Sequence, residues 1–427
     1  MTQPRALQSQ KRRRLTDIPP MTPMSWVEVD LGAFDHNVKA FATISESSHI
    51  SDNIPRHQLQ RPAMICGVVK KNAYGMGAQT IAHRLLKSGA SFLAVYSPQE
   101  AEDLINQAVT SPILLFMPFT SLARTDALYR HTVAEKLHLT IHDFHQLHAI
   151  NDIGQTFGVK IPIHIMIDTG MSRGGFSRPD FDHVLSTLPE YRHVRLAGIY
   201  THFATADDDA DFLEQQYNNY ESAIAENAEQ IPEDVILHVA NSCAALRDPK
   251  YHLDMIRLGI SLWGYGHEFL APGPVIADCP ELKHVVTWLS KICVVQPFSR
   301  GAKVGYGCTH TLRRKSITAV VPIGYGDGYP LALSNKGYVR VHPKDDSLPI
   351  SDCKVLGRVN MDQITIDLTD VEGLTPENAP AMIDAVVEIY SADPEAPGSV
   401  PKMSKAIKSH PYELLCRIDP VIPRRYV

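Results

Sequence analysis

At 427 residues the chain is longer than one hydrophobic core usually grows, so two domains are expected. Its 44% hydrophobic and 21% charged residues suit an ordinary globular protein, and a net charge of −6 offers no basic surface for nucleic acid. The strongest apolar stretch, 113–119, is only strand-length, far short of the roughly 20 residues that cross a bilayer, so no membrane segment is expected.

Residues 1–24 are polar and carry the basic run Lys11-Arg12-Arg13-Arg14. Leu15-Thr16-Asp17-Ile18-Pro19-Pro20 follows where a signal peptide would place an apolar core, so a disordered tail is expected. From about 60 to 265, apolar runs alternate with amphipathic stretches. The runs are 65–69, 92–96, 113–117, 137–141, 161–167, 195–200, 236–239 and 255–258. Between them lie segments such as 80–87, where Ile81 and Leu85 stand one helical turn apart. Strands spaced by helices make right-handed βαβ units, and eight units predict a (β/α)8 TIM-type barrel over 25–267. The runs are mostly apolar rather than alternating, as strands buried on both faces require. A further strand at 26–31 stands outside this count and can pack with the second domain.

Beyond 267 the texture changes. Pro272-Gly273-Pro274 reads as a linker, and 316–322, 338–342, 354–359, 363–368 and 385–390 are strand-like without intervening helices. Thr365-Ile366-Asp367-Leu368 alternates as a half-wet sheet does, so 268–427 is expected to be a mainly β C-terminal domain. Prolines and Gly398 suggest a surface loop over 384–400, and 404–408 reads as a helix stopped before Pro411. His142, His145 and His148, with His131 and His138 nearby, have no acidic or cysteine partner; the spacing puts the first three on a solvated helix face, and no metal is expected. The seven cysteines are dispersed, odd in number and free of C-x-x-C pairs, which favours free thiols in a reducing cytosol.

In such a barrel, chemistry belongs at the carboxyl ends of the strands. The first run is followed by Lys70 and the fifth by Asp168-Thr169-Gly170-Met171-Ser172-Arg173. Thr201-His202 follows the sixth, Asn241-Ser242 the seventh, and Arg257-Leu258-Gly259 ends the eighth. Ser242 and Gly259 match the phosphate site that these barrels often build after strands 7 and 8.

Val68-Val69-Lys70-Lys71-Asn72-Ala73-Tyr74-Gly75-Met76-Gly77 resembles the pyridoxal 5′-phosphate (PLP) lysine signature of alanine racemases. The resemblance recurs in order from Trp26 to Tyr426, through Gly198-Ile199-Tyr200-Thr201-His202-Phe203, Ala240-Asn241-Ser242, Arg257-Leu258-Gly259, Gly305-Tyr306-Gly307, Gly324-Tyr325-Gly326-Asp327-Gly328, Asn360-Met361-Asp362 and Pro411-Tyr412-Glu413. It implies interconversion of L- and D-alanine by two-base α-proton transfer on PLP-bound substrate, in a cytoplasmic homodimer whose D-alanine commonly serves cell-wall peptidoglycan.

Inversion requires one group to remove the proton from one face and another to return it to the opposite face. The resemblance gives those roles to Lys70 and to Tyr306, the latter reaching from the partner subunit. A lysine ordinarily near pKa ~10.4 needs burial or a neighbouring cation to act, and Arg257 is the expected cation. A phenol ordinarily near pKa ~10 also needs help, which the resemblance assigns to His202, linked to Arg257. Arg257 itself is implied against the pyridine nitrogen; a guanidinium has no acceptor, so that nitrogen would stay unprotonated. His238 is placed to orient Arg257. The phosphate is assigned to Tyr74, Asn241, Ser242, Tyr412 and the amides of Gly259 and Ile260, and the substrate to Arg173, Met361 and Tyr325.

Two positions depart from the pattern. Met166 stands where many members carry a carbamylated lysine that holds the arginine matching Arg173, so chloride or a polar neighbour must serve. Arg173-Gly174-Gly175 has glycine where leucine is frequent. These departures keep open a broad-range racemase for serine, lysine or arginine. A decarboxylase of the same plan would need an acid in place of Arg257, and a PLP carrier would lack the β domain.

Overall fold

The computed structural model describes residues 23–46, 54, 62–276, 279–344 and 347–427. The tail expected over 1–24 therefore lies, apart from Pro23 and Met24, outside the described residues. After β1 (Ser25–Val29) come eight parallel strands: β2 (Met64–Val68), β3 (Phe92–Val95), β4 (Ile113–Leu115), β5 (Leu137–Ile141), β6 (Ile161–Met166), β7 (Val194–Tyr200), β8 (Ile236–His238) and β9 (Met255–Leu258). They pair in the order β8-β7-β6-β5-β4-β3-β2-β9. Two backbone bonds join the ends of that sheet: Asp254 N–H to the Leu237 carbonyl (3.0 Å) and Arg257 N–H to the Ala240 carbonyl (3.1 Å). Every residue of β3 to β6 is buried, which explains their continuous apolar texture. Most expected runs overshoot the strands by one or two residues, and backbone bonds such as Val69 N–H to the Ala94 carbonyl (2.9 Å) and Met117 N–H to the Tyr96 carbonyl (2.9 Å) continue the pairing there.

The second sheet runs β11-β14-β17-β16-β15-β18-β10-β1-β19. Its other members are β10 (Val286–Lys291), β11 (Val294–Phe298), β14 (Ser316–Val321), β15 (Tyr338–His342), β16 (Ser351–Leu356), β17 (Ile364–Asp367), β18 (Val386–Tyr390) and β19 (Arg424–Tyr426), while β12 (Lys303–Val304) and β13 (His310–Thr311) form a separate small ribbon. β1 lies antiparallel to β10 and parallel to β19, so both ends of the described chain meet in this sheet. Asp30 then caps the helix Leu31–Ser45, accepting the Ala33 N–H at 2.8 Å, and the chain leaves for the barrel.

Three expectations are corrected. The helix read at 404–408 is Val400–Ala406, and Pro411 opens a second helix, Pro411–Arg417, rather than merely following one. A proline at the first helical position forfeits an N–H that has no partner there anyway. Of the loop read at 384–400, residues 386–390 are strand β18. Among the histidines, His145 and His148 are exposed on the helix Phe144–Phe157, but His142 precedes that helix, and His138 sits in β5, buried inside the barrel.

Candidate active site

Directly after β2 the backbone makes a left-handed turn. Lys71, Asn72, Ala73 and Tyr74 have φ of 54°, 55°, 52° and 57°. Each such non-glycine residue costs about 1–2 kcal/mol, so the turn persists only because its surroundings hold it. Asn72 Oδ1 accepts the Ala78 N–H (2.8 Å), and Glu100 Oε1 accepts the Lys71 N–H (2.7 Å). From the far end of the chain, Arg424 Nε donates to the Gly75 carbonyl (2.8 Å) and the Tyr426 hydroxyl to the Met76 carbonyl (3.0 Å). The turn leaves Lys70 half-buried in a cavity of about 370 Å³ at the barrel mouth. Tyr74, His202, Asn241, Ser242, Arg257, Gly259 and Tyr412 line the same cavity.

Burial is the main cause that lowers the Lys70 pKa from its usual value, followed by the charges of Arg173 and Lys71; Glu100 and Cys416 oppose them. The cation chiefly responsible is thus Arg173, not Arg257 as the sequence suggested. Arg257 instead turns inward, 3% exposed, with its guanidinium 5.1 Å from the Tyr200 ring centroid. Nη1 donates to His238 Nδ1 (2.9 Å) and the His238 carbonyl (3.1 Å). Nη2 donates to the carbonyls of Thr201 (2.9 Å) and Val239 (3.0 Å), with His202 Nδ1 at 3.4 Å. None of these partners is a carboxylate, and Nε–H has no protein partner among the described residues. Burial, then Arg257, Arg173 and Lys70, push the His202 pKa down to about 3. Because a guanidinium can only donate, His202 Nδ1 accepts and its proton sits on Nε2.

On the opposite wall, Asn241 caps the helix Ser242–Arg247 by accepting the Ala244 N–H (3.0 Å). Ser242 Oγ accepts the N–H groups of Gly259 (2.9 Å) and Ser261 (3.4 Å). Ile260 opens a short 3-10 turn, whose first amides have no partner within the turn. A Cβ at position 259 would run into the Tyr74 hydroxyl, so glycine there lets backbone and phenol meet. The Tyr74 and Tyr412 ring centroids are 5.6 Å apart. Hydroxyls and three cations (Lys70, Lys71 and Arg257) therefore surround this cavity, and no carboxylate lines it among the described residues. That donor set fits an anionic ring compound of the PLP type.

Tyr306, Tyr325 and Met361 are elsewhere. They line a separate cavity of about 730 Å³ on the β domain, to which no residue of the barrel mouth contributes. Tyr306 is 71% exposed and Met361 54%. Their loops interlock, with Tyr325 N–H bonded to the Asn360 carbonyl and Gly326 N–H to the Met361 carbonyl, both at 2.9 Å. Within one chain Tyr306 and Lys70 belong to different cavities. Arg173 is exposed on the loop after β6, which Asp168 Oδ1 pins by accepting the N–H groups of Gly170 and Ser172, each at 3.0 Å. Met166 is buried in β6.

The sequence reading missed Phe116 and Cys416 at the mouth, and Glu100, Arg424 and Tyr426 around the strained turn. Phe116 follows β4 directly, so the strand-end rule could have found it. Cys416 lies on the helix Pro411–Arg417, which the sequence reading did not mark.

Residues 29–267 match the family described as alanine racemase, N-terminal domain, and 285–426 the one described as alanine racemase, C-terminal domain. The chain is 32% identical over 410 residues to Alanine racemase 1 of Oceanobacillus iheyensis, spanning 94% of this chain and 98% of that protein. It is 30% identical over 411 residues to the alanine racemase of Symbiobacterium thermophilum, spanning 96% and 98%. Among solved structures, an alanine racemase of Clostridium difficile 630 is similar with a TM-score of 0.76 and 27% identity, over 95% of this chain and 96% of that one. With both domain types matched in order and most of the chain aligned, the protein belongs to the alanine racemase family.

Proposed function

We propose that the protein interconverts L- and D-alanine with PLP carried on Lys70, in a homodimer whose active site takes Tyr306, Met361 and Tyr325 from the partner subunit. The observation that carries this reading is the split between two cavities. The barrel mouth holds Lys70 and Arg257, while the exposed Tyr306 lines a different cavity on the β domain that contains no lysine or histidine among the described residues. Closed twofold symmetry lets one interface complete two such sites. We take 25–267 and 268–427 as the two domains, with β1 serving the second sheet, and seven free thiols support a reducing cytoplasm.

PLP, when bound, supplies a conjugated ring that draws electrons from the substrate α-carbon and makes its proton acidic. The chain's own residues do the rest. Lys70, with its pKa lowered by burial and Arg173, can release its proton and act as the base on one face. Tyr306 serves the other face, and the Nε2–H of His202 is the group free to meet its hydroxyl. Arg257, whose Nε–H has no protein partner among the described residues, would face the ring of the bound group as a permanent donor and so favour an unprotonated ring nitrogen. Tyr74, Ser242, Tyr412, Asn241 and the Ile260 amide would hold the phosphate, joined by the Gly259 amide if it shares the proton it now donates to Ser242 Oγ. Arg173 and the Met361 amide take the substrate carboxylate, and Tyr325 lines the entrance.

Loss of chirality, followed by circular dichroism on holoenzyme, tests the assignment with L-alanine, D-alanine, L-serine, L-lysine and L-arginine. Decay of both alanine enantiomers to zero, with the others nearly unchanged, is expected. Equal rates for lysine or arginine would replace it with a broad-range racemase and point to Met166. No decay despite bound PLP would refute racemisation.

A further inference from the structure

The interior of a (β/α)8 barrel is normally filled by branched aliphatic side chains, but here three histidines from three strands occupy it. His138 (β5), His164 (β6) and His238 (β8) are 6%, 0% and 0% exposed. They form an unbroken chain behind Arg257. His238 Nε2 lies 2.9 Å from His164 Nδ1, and His164 Nε2 lies 2.9 Å from His138 Nδ1.

The direction of the chain follows from its first member. A guanidinium has no acceptor, so His238 Nδ1 must accept from Arg257 and His238 must carry its proton on Nε2. His164 Nδ1 then accepts and its Nε2 donates, and His138 repeats the pattern. One proton arrangement satisfies every link, and all three rings are neutral in it. The groups facing the chain favour neutrality too: Arg257 at one end, Arg195 near His138 and His164, the Tyr200 ring stacked on His238 at 4.8 Å and 12°, and the Phe92 ring edge-on to His138. The nearby Glu135 carboxylate is paired with Arg195 at 3.2 Å.

The backbone is shaped around the middle ring. The β6–β7 pairing slips at His164, where Ile163 faces Leu196 but His164 faces Gly198. A Cβ at 198 would collide with the His164 ring, so a bulge and a glycine together seat it. Three buried imidazoles are an expensive way to fill a barrel, since each polar group must find a partner.

We propose that His238, His164 and His138 form a one-way hydrogen-bond relay that orients Arg257, which makes His164 and His138 positioning residues for the reaction. The inference rests on Arg257 as the residue facing the cofactor ring. Each link polarises the next, strengthening His238 Nδ1 as the acceptor that holds Nη1. The guanidinium plane is fixed with Nε–H left for the ligand.

Nitrogen-15 spectra of histidine-labelled holoenzyme at pH 7 test the proton arrangement, with resonances assigned by their loss in His164→Gln and His138→Gln. Three neutral rings, each protonated on Nε2, are expected; an Nδ1–H form or an imidazolium in any of them overturns the relay. The second readout compares His164→Leu with His164→Gln, whose amide can accept from His238 and donate to His138. At full PLP loading, kcat of His164→Leu should fall about 10-fold with KM within about 2-fold, and His164→Gln should recover to within about 3-fold of wild type. Equal kcat in all three proteins overturns the proposal. If His164→Leu does not fold, the wild-type spectrum still decides; if wild type racemises nothing, the assigned activity fails while the spectrum judges the relay separately.

Discussion

Substitutions at two positions separate cofactor binding from inversion. Tyr306→Phe removes one hydroxyl from a residue outside the barrel-mouth cavity. PLP affinity should therefore be unchanged while racemisation falls about 10²–10⁴-fold in both directions, the usual worth of a positioned acid or base. Steady-state rates from each enantiomer check this, and unchanged rates would remove Tyr306 from the mechanism. Gly259→Ala does the reverse, driving a methyl against the Tyr74 hydroxyl. A PLP titration should show affinity weakened by about 10-fold, equivalent to about 1.4 kcal/mol. That Lys70, His202, Ser242 and Arg257 share the barrel mouth was legible in the sequence because each lies at or just after the carboxyl end of an apolar run, while their roles came from the resemblance. The action of Arg173 on Lys70 was not, since it crosses the barrel mouth between distant strands. His138 was read within the strand run 137–141, but a run that also carries Thr140 does not reveal that the His138 ring meets His164 inside the barrel.

The strained turn Lys71–Tyr74 depends on a strand that the sequence did not disclose. Arg424-Arg425-Tyr426 is too charged and too short to read as β, yet β19 lines up beside β1 and delivers two side chains to the turn. Tyr426→Phe deletes the bond to the Met76 carbonyl. The expected result is a stability loss of about 1 kcal/mol and a PLP occupancy reduced at limiting cofactor, with Tyr306 function intact. Thermal melts with and without PLP measure it; equal melts in both states would mean the turn is held by its other bonds alone. The barrel strands were readable because burial on both faces leaves a continuous apolar signature. β11 escaped because Pro297 argues against a strand, and the structure resolves this by placing β11 at the sheet edge.

For the molecule as a whole, four histidines of the barrel interior and its mouth set a pH limit on stability. His138, His164, His202 and His238 all have pKa values below the ordinary 6.5 in the fold, with His138 at about 4 and His202 at about 3; burial is the first cause in each. In the unfolded chain they titrate near 6.5, so below that pH the unfolded state binds more protons. Their neutral packing is therefore without penalty above about pH 6.5, and stability falls as pH drops toward the folded values, by about 1.4 kcal/mol per pH unit for each proton. Urea midpoints should decline steadily from pH 6.5 to 5, and a flat profile would mean that these rings are charged in the fold or solvated.

The β domain was foreseen as a second unit, and the resemblance had assigned Tyr306, Tyr325 and Met361 to a site completed by a partner; that the three line one cavity was not legible, because their loops are distant in sequence. Co-expression of Lys70→Ala and Tyr306→Phe chains with different tags, followed by isolation of the mixed dimer, tests that sharing most directly. Each parent homodimer should be inactive, whereas random pairing should restore roughly a quarter of wild-type sites, all of them in mixed dimers with one intact site. A mixed dimer with no alanine racemisation, or a monomer with full activity, would contradict a site built from two chains.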